Sequence, residues 1–371
     1  MKVAVLSGDG IGPEIMTQAL RVIDLLIEQR KIDVEIIHAP FGAGSYFDHG
    51  HPFPDQTKKI CDESDIILKG PVGLNHQDSK KIPIELQPVR AAILALRQRY
   101  DTFANFRPVF LSPRMSHFSP LKPSVISSGI DFIMIRELVG GLYFGRKKRG
   151  EDSAGQRFVE ESLEYNEKQI RRVLTIAFEL ANKRTRRQLH NIHKSNVLLS
   201  SVLWNEILEE VASDYPNVLV KNMLVDAAAT ALCLDPSQFD VMVMENMFGD
   251  ILSDQAGGII GSLGLMPSAC VGEKKSYFEP SHGSAPDIAG KNIANPYSMI
   301  GSIAMMLEMS MNHQIEANEV WVALHTVMEK GYVTADLGGT IDDATIISTE
   351  EFGSKVLDIL RKVDWSLLPS N

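Results

Sequence analysis

Short aliphatic and β-branched runs alternate with amphipathic stretches from the first residues of the chain onward. Lys2–Leu6 reads as a buried strand. After a glycine-rich turn, Ile15, Ala19, Val22 and Leu26 follow at steps of four, three and four, the spacing of one helix face. Val34–Ile37, Ile66–Leu68, Phe132–Ile135, Gln188–Ile192 and Val241–Met244 read as further strands. Ile170, Leu174, Ala177 and Ala181 mark another helix, and Met305–Glu308 lies in a late one. Strand–helix alternation of this kind predicts an α/β fold with a largely parallel sheet. No internal repeat and no Pro/Gly/Ser linker divides the chain, so its domains are expected to be interwoven.

Composition narrows the function. The 371 residues suffice for about two domains, and 44% hydrophobic with 23% charged excludes a disordered or fibrous chain. Lys and Arg number 37 against 47 Asp and Glu, a formal charge of −10. That balance disfavours nucleic acid as a partner, and an anionic substrate would need a local cluster of cations. Cys61, Cys233 and Cys270 are few and far apart, which argues against a disulfide framework or a cysteine-ligated zinc and for a reducing compartment. No apolar run approaches the roughly 18 residues that span a bilayer, and Val3–Leu6 is too short for an export signal. A soluble cytoplasmic protein is expected.

Gly8-Asp9-Gly10-Ile11-Gly12 follows the first strand but has G-x-G-x-G spacing, not the G-x-G-x-x-G of a dinucleotide turn, and reads as a tight turn before a helix. Arg90 and Arg97 lie seven apart in Val89–Arg99, on one helix face with Ile93 and Leu94 between them; Arg107 precedes Pro108, and Arg136 ends an apolar strand. Three converging guanidiniums would clamp carboxylates, whose oxygens match the guanidinium fork. Asp250 and Asp254 are four apart after the strand Val241–Met244, stacked on a helix face where like charges repel unless a cation lies between them. With Asp226, on an otherwise apolar segment, they make an all-oxygen set suited to Mg²⁺ or Mn²⁺. Near such a cation an ammonium is destabilised, so Lys194 is a candidate base, with Tyr143 its proton-donating counterpart. The polar loop from Glu279 to Pro296 is long enough to suggest function. Arg146–Arg149, the densest basic run, reads as a solvated loop tip.

Together these segments resemble the β-decarboxylating dehydrogenases: Met1–Glu14, Ala104–Pro108, Arg136–Gly145, Lys194–Leu198, Phe248–Asp254 and His282–Gly290 match in the family's order over nearly the whole chain. The resemblance implies an open mixed α/β sheet unlike the Rossmann fold, in two interwoven domains. Residues 1–106 and 262–371 would bind NAD, and 107–261 would carry the dimer interface and an arm. It further implies a homodimer with shared active sites, in which Arg97, Arg107 and Arg136 hold a malate and Asp226, Asp250 and Asp254 hold Mg²⁺ or Mn²⁺. Lys194 and Asp226 would come from the partner subunit. Lys194 would take the C2 hydroxyl proton as hydride passes to NAD, and Tyr143 would protonate the enolate left when CO₂ departs.

Glu279, His282, Gly283, Ser284, Ala285, Asp287, Ile288 and Asn295 would line the cofactor. Asp287-Ile288 stands where NADP-using relatives have Lys-Tyr, so NAD is expected. Isocitrate-using relatives resemble a pattern with Ser and Asn at Ala91 and Ile93, and homoisocitrate users tend to have Arg at Leu94. The apolar set here favours 3-isopropylmalate, and hence leucine biosynthesis, over tartrate, malate, 3-methylmalate or homoisocitrate. The chain departs from the pattern at Val89, where Glu is usual, and at His193, where Asp precedes the lysine. With Lys194, Tyr143 and all three aspartates present, a catalytically silent member is disfavoured.

Overall fold

The strands form mostly where aliphatic runs permit burial. In chain order they are β1 (Lys2–Leu6), β2 (Glu35–His38), β3 (Ile66–Lys69), β4 (Ala104–Leu111), β5 (Ile130–Glu137), β6 (Lys147–Glu151), β7 (Arg157–Glu161), β8 (Gln188–His193), β9 (Leu219–Leu224), β10 (Val241–Met244), β11 (Pro267–Val271) and β12 (Ser276–Pro280). The computed structural model describes residues 1–338 and 344–365. By its contacts the chain divides into two units: Met1–Tyr100, Arg114–Pro120 and Gly257–Asn371 form one, Asp101–Pro113 and Leu121–Ala256 the other. The whole of β4 belongs to the middle unit because it pairs with β5 from Ala104↔Glu137 to Leu111↔Ile130. Arg114–Pro120 belongs to the first, where Ser119 Oγ donates to the Ile259 carbonyl at 2.6 Å. Among the described residues no helix is long and apolar enough to cross a membrane.

In the first unit the strand order is β2-β1-β3-β12-β11, parallel except for the last pair. The helix Gly12–Arg30 buries Ile15, Ala19, Val22 and Leu26, the stripe read from the sequence. The glycine turn before it is structural. Gly8 and Gly10 have positive φ (74° and 57°), and a Cβ on Gly10 would lie 2.0 Å from the Ser284 carbonyl oxygen. Asp9 accepts the N–H groups of Ala43, Gly44 and Gly73 at 2.9–3.0 Å, and Ile11 N–H donates to Ser284 O at 2.9 Å.

In the second unit the order is β4-β5-β10-β8-β9, with β5, β10, β8 and β9 mutually parallel. Their carboxyl ends therefore share one edge, which collects Arg136, Asn246, Lys194 and Asp226 from segments far apart in sequence. The helix Glu167–Lys183 starts at a capping box made by Asn166 and Gln169, worth about 1 kcal/mol. It packs Ile170, Leu174 and Phe178 against Ile135, Val241, Val243 and Trp204. A fully buried Phe178 alone stabilises by roughly 1.5–3 kcal/mol.

One sequence expectation fails here. Lys147, Lys148 and Arg149 are not a loop tip but lie in β6, which pairs antiparallel with β7, Lys147↔Glu161 and Lys148↔Glu160. A two-stranded ribbon solvated on both faces needs no apolar alternation, so only cross-strand charge pairing marks it.

Candidate active site

Within the second unit, β4, β5 and the helix Asn246–Ile259 bring together Arg107, Arg136, Tyr143, Asp250 and Asp254. Arg136 is almost fully buried at the end of β5. Its Nε and Nη2 donate to Asn246 Oδ1 at 3.1 and 2.7 Å, and its Nη1 forms an ion pair with Asp250. Gly249 makes room for this arm, since a Cβ there would lie 2.4 Å from Arg136 Cγ. Arg107 is buried too: Nε donates to Asn105 Oδ1 at 2.7 Å, Nη1 binds Ser253 Oγ and lies 3.6 Å from Asp254 Oδ1. Asn105 and Arg107 are two apart on a strand and share a face.

Tyr143 sits in the short 3₁₀ turn Gly141–Tyr143 and donates its hydroxyl proton to Asp250 Oδ2 at 2.6 Å. Burial, then that carboxylate, push the phenol up to about 12, so it is protonated at neutral pH. Burial raises the Asp254 carboxyl as well; Arg107 opposes this and the negative charge of Asp250 adds to it. Two carboxylates on one helix face thus repel each other even beside two guanidiniums. That is the setting in which a hard divalent cation binds oxygen donors with gain.

Lys194 and Asp226 form a second group in the same unit, with Nζ 2.7 Å from Oδ1. Lys194 follows β8, where Ser201 Oγ accepts its backbone N–H at 3.1 Å, and Asp226 opens the helix Val225–Leu234 with its side chain about two-thirds exposed. The hydrogen bond from Lys194 lowers the Asp226 carboxyl. Among the described residues no three His, Cys, Asp or Glu side chains converge on one metal position. Asp226 is held by Lys194, while Asp250 and Asp254 face the arginines.

The remaining residues lie in the first unit. Val89–Leu94 is a π turn leading into the helix Ala95–Tyr100. The sequence placed Arg90 and Arg97 on one α-helical face. With the π turn's wider spiral between them they differ: Arg90 is exposed, whereas Arg97 is buried and donates to Tyr277 Oη at 3.2 Å. Ile93 and Leu94 are half-buried. Glu279 is committed to Lys69 at 2.5 Å in a buried ion pair. Both ring nitrogens of His282 are engaged, by Gly283 O and Ser298 Oγ at 2.9 Å, and burial lowers its pKa. Asn295 Oδ1 accepts Tyr297 N–H at 3.0 Å at the start of the helix Tyr297–Met309. Ser284 is buried, Ala285 and Ile288 are half-buried, and Gly283 and Asp287 are exposed.

The sequence matches the isocitrate/isopropylmalate dehydrogenase family over residues 2–356. The chain belongs to that family. It is 44% identical over 369 residues to a 3-isopropylmalate dehydrogenase of Methylococcus capsulatus, covering 98% of this chain and 99% of the relative. It is 42% identical to the enzyme of that name from Thermotoga maritima, covering 98% of this chain and all of the relative. Among solved structures it resembles the isocitrate dehydrogenase of Methylococcus capsulatus at a TM-score of 0.85 and 32% identity, over 97% of this chain and 99% of the other. The family makes this chain a decarboxylating dehydrogenase.

Asn105, Asn246 and Ser253, which hold the two arginines, escaped the sequence reading. Asn246 had a usable signal, standing four residues before Asp250 on one helix face.

Proposed function

We propose that the protein oxidatively decarboxylates 3-isopropylmalate to 4-methyl-2-oxopentanoate and CO₂ with NAD, in leucine biosynthesis, as a cytoplasmic homodimer with shared active sites. The observation that carries the chemistry is the pairing of two buried guanidiniums with Asp250, Asp254 and the Tyr143 hydroxyl. The relatives' names support the substrate.

Arg107 and Arg136, with Arg97 by resemblance, bind the malate carboxylates as guanidinium–carboxylate pairs. Asp250 and Asp254, with Asp226 of the partner subunit, would hold Mg²⁺ or Mn²⁺. NAD bound at the segment Glu279–Asn295 supplies the hydride acceptor, and the metal, when bound, supplies a Lewis acid for developing negative charge on oxygen. Lys194, oriented by its hydrogen bond to Asp226 at 2.7 Å, accepts the C2 hydroxyl proton as the hydride leaves. Tyr143, protonated at neutral pH and hydrogen-bonded to Asp250, donates the proton that the carbon needs after CO₂ leaves. The direct test is NADH production by the purified protein with a panel of malates, with and without EDTA. Turnover of tartrate, malate or homoisocitrate above that of isopropylmalate, or full activity in excess chelator, overturns the reading.

Two further outcomes follow from the side chains. The exposed Asp287 favours hydrogen bonds from ribose hydroxyls and repels a 2′-phosphate, so kcat/KM with NAD is expected to exceed that with NADP. Equal efficiency with NADP counts against this assignment. Leu94 and Ile93 offer an apolar lining to the substituent at C3, whose burial gains roughly 1.5–3 kcal/mol, as for a valine side chain. Leu94→Arg is therefore expected to lower isopropylmalate kcat/KM at least about tenfold with NAD affinity unchanged, and an unaltered value removes Leu94 from the pocket.

A further inference from the structure

Behind the turn that presents Tyr143 lies a buried cluster with no role in the steps above. Tyr165 Oη is 3.1 Å from Glu137 Oε2 and 3.3 Å from Glu245 Oε2, and it accepts the backbone N–H of Asn246 at 3.0 Å. Both glutamates are nearly or fully buried. A phenol has one proton and can satisfy one carboxylate. If both acids were ionised, an acceptor would face an acceptor at the other, at low dielectric and at high cost. Glu137 already receives N–H donors at both oxygens, Val139 at Oε1 and Gly140 at Oε2, each 2.9 Å. Glu245 receives Phe248 N–H at Oε1 (3.0 Å) and is also favoured as an anion by the Met247 N–H, so two backbone donors serve it against two backbone donors and the shorter Tyr165 bond at Glu137.

We propose that Glu137, Tyr165 and Glu245 share one trapped proton: Glu245 is the neutral acid, donates from Oε2 to Tyr165, and Tyr165 donates to the ionised Glu137. Every polar atom of the cluster then has a partner of the correct sense.

The neighbouring charges fit this assignment because they are committed elsewhere. Arg172, the cation facing Glu137, is engaged by Asp101 at 2.9 Å and lies over the Phe103 ring at 4.2 Å. Arg136, facing Glu245, is taken by Asn246 and Asp250. From β8, His193 lines a small cavity with Tyr165 and Glu245; its Nδ1 accepts Ser195 N–H at 3.2 Å, and burial lowers its pKa, so it brings no charge at neutral pH. Tyr143, the remaining titratable neighbour of Glu245, is a neutral phenol. Burial pushes both carboxyls up, Glu137 to about 7 and Glu245 in the same direction, so burial alone favours a proton on either acid; the pair titrates as a unit, and the shorter Tyr165 bond added to two N–H donors at Glu137 puts the proton on Glu245.

The cluster also fixes the parts that bind and react. A Cβ on Gly141 would lie 2.6 Å from Tyr165 Oη, and one on Gly140 2.4 Å from Tyr165 Cε1, so the tyrosine sets the backbone just before Tyr143. Asn246, whose N–H Tyr165 accepts, holds Arg136 and donates from Nδ2 to Gly140 O at 3.1 Å. Tyr165 and Glu245 are thus positioning residues for Arg136 and Tyr143.

The primary test needs no substrate and so stands apart from the proposed reaction. Infrared difference spectra of wild type minus Glu245→Gln near pH 6 are expected to show the C=O stretch of one protonated carboxyl, lost in wild type as pH rises. Absence of that band, or its persistence in the variant, overturns the proposal. Should the variant not fold, the pH titration of the wild-type band decides alone. Stability gives the second readout. The unfolded chain releases this proton near the ordinary glutamate pKa while the folded one keeps it, so the cluster's contribution to stability is fully present below that pKa and is lost as pH rises through the folded one. The wild-type folding constant should fall up to about tenfold per pH unit in that window relative to Glu245→Gln, and parallel profiles count against a trapped proton. The positioning role rests on the proposed reaction: Tyr165→Phe should lower kcat about 10–100-fold with a smaller change in KM, and an unchanged kcat removes that role.

Discussion

Asp250→Asn is expected to lower kcat at least about 100- to 1,000-fold while the protein stays folded. One carboxylate serves three neighbours: the Arg136 guanidinium, the Tyr143 hydroxyl and the proposed metal. An amide keeps the shape and one acceptor but removes the charge, so metal affinity falls and Tyr143 loses the anion that orients it. Arg136 loses its ion-pair partner inside the protein but keeps both bonds to Asn246, and the Asp250 side chain is 40% exposed, so stability should fall by only about 1–2 kcal/mol. Steady-state rates at saturating Mg²⁺ and a thermal melt separate the two effects. Turnover within tenfold of wild type would remove Asp250 from the chemistry.

Lys194→Ala should be as damaging, about 10²–10⁴-fold, because the proton of the C2 hydroxyl loses its acceptor. The informative experiment mixes this variant with Asp250→Asn under conditions that allow subunit exchange. If Lys194 acts on the second subunit's Asp250 site, half of the dimers formed at random are mixed, and one of the two sites in each is intact. Activity should then recover to about one quarter of wild type. No recovery despite demonstrated exchange places Lys194 in the same subunit's site.

Legibility in the sequence followed burial. β1 and β10 were read almost to the residue because a strand buried on both faces is a continuous aliphatic run between turn residues, as Val3–Leu6 and Val241–Met244 are. The helix Asn246–Ile259 and the pairing of Asp250 with Asp254 were legible from a spacing of four. β6 and β7 were not, since a solvated ribbon carries no apolar signal. Nor was the π turn at Val89–Leu94, which no residue type announces, so the common face assigned to Arg90 and Arg97 was lost. The Tyr165 cluster was hidden for another reason. Glu137 follows Arg136 and Glu245 precedes Asn246, but Tyr165 is far from both in sequence, and only the pairing of β5 with β10 beside the start of the helix Glu167–Lys183 brings the three together.

The π turn has a consequence for how this enzyme can diverge. A π turn holds a residue more than an α turn, so deleting any single residue of Val89–Leu94 lets the segment close into regular α-helix. The residues flanking the segment keep their faces, while those within it are re-aimed relative to Arg97. A lineage could thereby exchange the side chains displayed beside that arginine by losing one codon, with no change in the chemistry of any residue. Insertions and deletions in this stretch are accordingly the places to look when related chains differ in the acid they accept.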